Sequence, residues 1–290
     1  MALDPREVQK PLSKLRKLLK KMPKQPTPDQ VHDLRTNSRR IATVKALQLD
    51  RKRKGKRVLK TLTPLRKRAG RVRDMDVLTG FAAGLSANGN QEAVVQLLDR
   101  LGETRFQAAR KLHKSVVKRR RTAKMRLKRC LLLVDRDLGS GKRRFGEWQA
   151  NATADALKLS AEIAGWPRFT TQTLHPFRLK VKELRNVLRM PGKDDELVDR
   201  LGEVKDAIGE WHDWTVLLDI ARDVLGTSES RSLTGHINEI TNQKERAALE
   251  VANRLRDHYF SANRQNARRS RKQGIPQPVL KSAARLAESR

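Results

Sequence analysis

The chain has 290 residues, and its 65 Lys and Arg against 32 Asp and Glu leave a net charge of +33. At 37% hydrophobic it can build a core, but at 4% aromatic it is short of the rings that stack the bases of single-stranded nucleic acid. It has no run of about 18 apolar residues to span a membrane. Met1–Pro5 does not read as a signal peptide, and the lone Cys130 excludes a disulfide framework or a zinc site of several thiolates, so a reducing cytoplasm is expected.

Apolar spacing predicts helices almost throughout. Val8, Leu12, Leu15 and Leu19 recur three and four apart, as on one helix face. Thr27-Pro28-Asp29-Gln30 predicts a helix start, with Thr27 as cap, Pro28 at the first helical position and Gln30 reaching back. The helix that follows carries His32, Arg35 and Arg39 on one side and Arg40 further round. Val31, Leu34 and Ile41 form its apolar stripe, with Ser38 and Lys45 as imperfect members. Arg51–Arg57 is a basic cluster expected at a helix junction. In Arg73-Asp74-Met75-Asp76, the two acids are expected to brace Arg71 and Arg73.

Arg110–Arg129 is basic nearly all round, with Lys114, Lys118 and Arg121 among its cations. Leu112, Val116, Val117, Ala123 and Leu127 form a thin apolar seam. Gly139-Ser140-Gly141-Lys142 lacks the first glycine and the Ser/Thr of a phosphate-binding loop and reads as a turn. A later helix is expected to be capped by Thr171 or Thr173, with Pro176 in its first turn. Its His175, Arg178, Lys182, Arg185 and Arg189 fall within an arc of about 80°. Leu174, Phe177, Val181, Leu184 and Leu188 occupy the neighbouring arc. Gly and Pro breaks divide the chain into roughly eight to ten helices. From about Arg264 onward the chain reads as a loosely held basic tail, with a short helix at 279–288.

Charge and pattern point to a polyanion. Residues 1–150 hold 41 Lys and Arg against 13 Asp and Glu, and residues 151–290 hold 24 against 19. Such a field collects negative polymers. An internal repeat organises the cations. Val31-His32-Asp33-Leu34-Arg35 is answered by Leu174-His175-Pro176-Phe177-Arg178 at an offset of 143. Arg73–Leu78 is answered by His212–Leu217 at 139, and Arg105 by Arg246 at 141. Neither His/Arg stripe contains an acid at i+4, so each repels itself until a multivalent anion docks. Both histidines sit near helix N-termini, whose partial positive charge adds to the side chains. No His-x-x-x-His pair or spaced acid completes a metal site, and no nucleophile arrangement surrounds Cys130. No metal, cofactor or catalytic residue is therefore expected.

These motifs resemble the CHAD family, the conserved-histidine α-helical domain. Its mark is a His-x-x-Arg-x-x-x-basic helix occurring twice, each followed by an (Arg/His)-Asp-x-Asp-Val-Leu-like segment. Here Thr215 replaces the second acid of the second segment, and Glu183 stands where a second basic residue is usual. The resemblance covers about residues 5–264 and implies an all-α fold of two four-helix bundles related by pseudo-twofold symmetry. Repeat one would span about 5–135 and repeat two about 145–264, with 265–290 as the tail. A basic cavity between the bundles is implied, as are binding of inorganic polyphosphate and association with polyphosphate granules. His32, Arg35, Arg39, Arg40, His175, Arg178 and Lys182 carry over by motif, and Arg73 and His212 open the two downstream segments. Arg185 and Arg189 come from the stripe, and Lys114, Lys118 and Arg121 from charge density. No Glu-x-Glu-x-Lys triplet of the triphosphatase module joined to some relatives occurs, so hydrolysis is not expected. The alternatives are a nonspecific nucleic-acid binder and an enzyme acting on phosphate polymers.

Overall fold

The computed structural model describes residues 5–46, 53–85, 91–139, 143–166, 168–188, 196–225 and 231–260. Among the described residues the chain is all helix, without a strand. The helices are α1 (Pro5–Lys21), α2 (Pro28–Ala46), α3 (Arg53–Ala83), α4 (Gln91–Gly139), α5 (Arg143–Ala164), α6 (Thr171–Leu188), α7 (Glu196–Val224) and α8 (Arg231–Leu255). A π-helical turn, Arg256–Phe260, follows α8. The expected helix at 279–288 lies outside the described residues.

The described residues group into two units. One holds 5–139 with 216–225 and 231–236, and the other holds 143–215 with 237–260, so α7 and α8 each contribute to both. In the first unit α1 packs on α2 and α4, and α3 packs on α2 and α4, which closes a ring of four neighbours. Its core follows the three-and-four spacing read from sequence: Leu12, Leu15 and Leu19 from α1, Val31 and Leu34 from α2, Leu62 and Leu65 from α3, Leu112 and Val116 from α4. Ser38 is buried with the α2 stripe. The seam of α4 holds at Leu112, Val116, Ala123 and Leu127, but Val117 is 52% exposed. Adjacent helical residues are about 100° apart, so Val116 and Val117 cannot both face one narrow seam.

The start of α2 is the capping box expected. Thr27 N–H donates to Gln30 Oε1 at 3.1 Å, and Gln30 N–H donates to Thr27 Oγ1 at 3.3 Å. The start of α6 differs from expectation. Thr170 is the cap: its carbonyl accepts from Thr173 N–H and Leu174 N–H, and its own N–H donates to Thr173 Oγ1 at 2.8 Å. With α6 beginning at Thr171, Pro176 lies in the second turn, not the first. There its missing N–H leaves the Gln172 carbonyl without its helical donor, and Gln172 is exposed to water.

In the second unit α5 packs on α6 and on the π-helical turn. Leu174, Phe177, Val181, Leu184 and Leu188 are all buried, as the periodicity requires. Phe177 stacks obliquely with Phe169 and Trp166, at centroid distances of 4.0 and 5.5 Å. The α5–α6 loop is tied to α8 where Phe169 N–H donates to Asn253 Oδ1 at 3.2 Å.

Candidate functional site

The second-unit stripe is built by α6 lying along α7. Three contacts fix their antiparallel register. The His175 and His212 rings meet edge to face at 5.4 Å. Arg178 lies over Gly209 and Arg185 over Gly202, so each step along α6 is matched by an equal step back along α7. Arg178 Nε donates to the Lys205 carbonyl at 3.1 Å, and Arg185 Nε donates to the Val198 carbonyl at 3.1 Å. Each of these carbonyls sits four residues before one of the glycines, so it is the acceptor of that glycine's own helical N–H. The missing side chain at the glycine opens the carbonyl to a second donor.

Among the described residues neither arginine has another hydrogen-bond or ion-pair partner, and Nη2 of each lies against a glycine of α7. Lys182 lies between them on the stripe, half-buried. Arg189 lies outside the described residues. Partial burial, then the nearby charges of His212 and Arg178, lower the pKa of His175 from its ordinary 6.5. Off the stripe, Lys180 pairs with Glu162 of α5 at 2.6 Å. That hydrogen bond raises the pKa of Lys180 and lowers that of Glu162.

The first-unit stripe is arranged differently. His32 is exposed, with Nε2 3.3 Å from Thr36 Oγ1. Arg35 meets Asp74 of α3 at 3.2 Å. Arg39 is half-buried and Arg40 exposed, while Arg73 is half-buried on α3. Asp76 holds Arg105 Nε at 2.7 Å, and Arg105 also donates through Nη2 to the Pro26 carbonyl at 2.9 Å. Asp74 and Asp76 therefore brace cations on α2 and α4, not Arg71 and Arg73. Helical spacing allowed the expected pairs, since Arg71–Asp74 and Arg73–Asp76 are three apart; it is the packing of α2 and α4 on α3 that brings Arg35 and Arg105 to the acids instead. Gly70 stands at the repeat position of Gly209. A Cβ there would meet nothing within 4 Å, so Gly70 cradles no arginine.

Lys114, Lys118 and Arg121 are exposed on α4. The chief neighbours of α4 are α1 and α3, so these three stand on the helix diagonal to α2 and its stripe. Other α4 cations join helices together: Arg126 donates to the Arg57 carbonyl at 2.8 Å and to Thr61 Oγ1, and Lys111 offers its carbonyl to Arg68 at 3.3 Å.

Sequence reasoning missed Arg105 as a clamp and Gly202 and Gly209 as seats. The glycines did leave a signal. A glycine in a helix interior costs about 1 kcal/mol relative to alanine, and two of them seven apart on α7 mark a face approached closely by something else.

The family model described as CHAD domain matches residues 7–222, from α1 to near the end of α7. No curated protein and no solved structure matches the chain.

Proposed function

The chain belongs to the CHAD family, and from that premise we propose that it binds inorganic polyphosphate through the Arg/Lys/His stripes of α2 and α6, without hydrolysing it. The observation that carries the reading is the pair Arg178 and Arg185. Both hold a helix carbonyl through Nε and have no acid against them among the described residues. An anion with many equivalent phosphates satisfies such sites repeatedly, and counterion release adds to each contact. The net charge of +33 supports the same class of partner. Granule association follows from a protein that coats a phosphate polymer. The accompanying fold reading is two four-helix bundles related by the internal repeat, and the closed ring of α1 to α4 supports the first of them.

The test is a titration of the full chain with long-chain polyphosphate, alone and against duplex DNA at equal phosphate concentration. Replacing Arg178 and Arg185 together by Ala is expected to weaken binding at least about tenfold, the loss of one charge-assisted hydrogen bond or more, with helicity unchanged. Undiminished affinity in that variant refutes the site. Displacement of the polymer by DNA at parity favours the nucleic-acid reading. Phosphate release in the presence of magnesium is expected to be nil, and steady release would make the protein an enzyme.

A further inference from the structure

Gly209 and Gly202 are both buried in α7, and each lies under a guanidinium group of α6. A Cβ added at Gly209 would come within 2.5 Å of Arg178 Nη2 and 3.2 Å of its Cζ. One at Gly202 would come within 3.0 Å of Arg185 Nε and 3.1 Å of Nη2. At both places the obstructed atoms belong to the end of a flexible side chain, so the arginine is what gives way and α7 keeps its course. Other helical glycines set the contrast: at Gly70, Gly80, Gly102 and Gly235 a Cβ would have nothing within 4 Å. Among the described helical glycines, the two crowded ones are thus the two that lie under cations.

The spacing of the seats matters as much as their existence. Arg178 and Arg185 are seven residues apart, about 10.5 Å along a helix at 1.5 Å per residue. That is too far for one phosphate ion to engage both forks, because charge-assisted hydrogen bonds reach only about 2.7–2.9 Å. A single phosphate therefore meets one arginine, whereas a chain long enough to span the interval meets both and gains the second contact at high effective concentration.

We propose that Gly209 and Gly202 are positioning residues that seat Arg178 and Arg185 at a fixed separation, making this face of α6 and α7 selective for a polymeric phosphate over a single one. The selectivity rests on the polyphosphate reading above, whereas the seating does not.

The sign of the expected effect sets this role apart from a structural one. In a helix interior Gly→Ala is stabilising by about 1 kcal/mol of propensity, so Gly209→Ala is expected to melt no lower than the parent chain. Its affinity for long-chain polyphosphate should nevertheless fall about three- to tenfold, while orthophosphate binding changes by less than about twofold. Gly202→Ala, with the looser clash, should show a smaller loss. Gly70→Ala is the control and should leave affinity unchanged. In an Arg178→Ala background Gly209→Ala should cost nothing further. A second readout needs no polyphosphate: the His175 ring titration followed by NMR. Moving Arg178 removes a positive neighbour, so the His175 midpoint should rise in Gly209→Ala.

An unchanged His175 midpoint together with parental polymer affinity in Gly209→Ala overturns the proposal. So does a further loss from Gly209→Ala once Arg178 is already Ala, and equal losses for orthophosphate and polymer overturn the selectivity. If the parent chain binds no polyphosphate while the His175 midpoint still shifts, the proposed function fails and the seating of Arg178 stands.

Discussion

Asp76 is 5% exposed and holds Arg105 at 2.7 Å, whereas Asp74 is 54% exposed and meets Arg35 at 3.2 Å. The two acids of one short segment therefore have different weights. Asp76→Ala strips Arg105 of its acidic partner in a site that is largely shielded, leaving it the Pro26 carbonyl, and should cost about 2 kcal/mol in urea unfolding. Asp74→Ala removes a surface pair and should cost less than about 0.5 kcal/mol. The same change releases Arg35, so polyphosphate affinity is expected to rise, and a fall would show that Arg35 depends on Asp74 for its place. Cys130 supplies a probe of the core. Burial raises its pKa from 9.0 to about 11, which lowers the thiolate fraction about 100-fold near pH 8. Alkylation of the native chain should be at least that much slower than of the urea-unfolded chain, and equal rates would mean that α4 opens there.

His175 gives the pH dependence at the same scale. Its folded pKa lies below 6.5, so as pH falls through about 6.5 the unfolded chain takes up a proton before the folded one. Stability from this group is present above that pH and declines as pH drops toward the folded pKa. A bound polyanion reverses the preference, because it stabilises the imidazolium. Polyphosphate should therefore raise the His175 midpoint, bind with proton uptake and bind tighter as pH falls. An NMR titration with and without the polymer checks both signs.

At the scale of the helix, the capping box of α2 and the apolar stripes of α2 and α6 are legible because they are local. Thr27 and Gln30 are three residues apart and bond each other directly. Thr27→Ala is expected to cost about 1 kcal/mol in thermal or urea unfolding. Along α4, Leu112→Ala should cost about 3 kcal/mol, while Val117→Ala should lie within about 0.5 kcal/mol of the parent, following their burial and exposure. The cap of α6 is not legible to the residue, because Thr170, Thr171 and Thr173 offer near-equal hydroxyls. Only the hydrogen bonds at Thr170 decide among them. Arg126 shows the other limit. Within a run of cations nothing local distinguishes it from its neighbours, yet it joins α4 to α3 through a backbone carbonyl.

For the molecule as a whole, net charge favours the proposed class of partner but does not rank the two stripes. The half with 24 Lys and Arg against 19 acids carries the two arginines seated on α7 glycines, with no acid against them among the described residues. In the far more basic half Arg35 already faces an acid. Affinity for polyphosphate should fall linearly on a log–log plot against salt. The Arg178→Ala/Arg185→Ala variant should flatten that slope by about 0.7 for each phosphate it no longer engages, whereas a parallel shift without change of slope would mean those arginines touch no phosphate.

What the sequence determined by itself was whatever repeats along one helix: the all-helical class, the buried stripes, the cap of α2, and the two His/Arg faces with their surplus of charge. Family membership was legible for the same reason, in residues spaced three and four apart. What only the tertiary structure decided was which partner each cation meets. Asp74 crosses from α3 to Arg35, Asp76 holds Arg105, and Gly202 and Gly209 receive Arg185 and Arg178. Helical periodicity fixes the direction in which a side chain leaves its own axis. The register of one helix against the next comes from packing between residues far apart in the chain, and that register chooses between an acid, a carbonyl and a bare glycine surface.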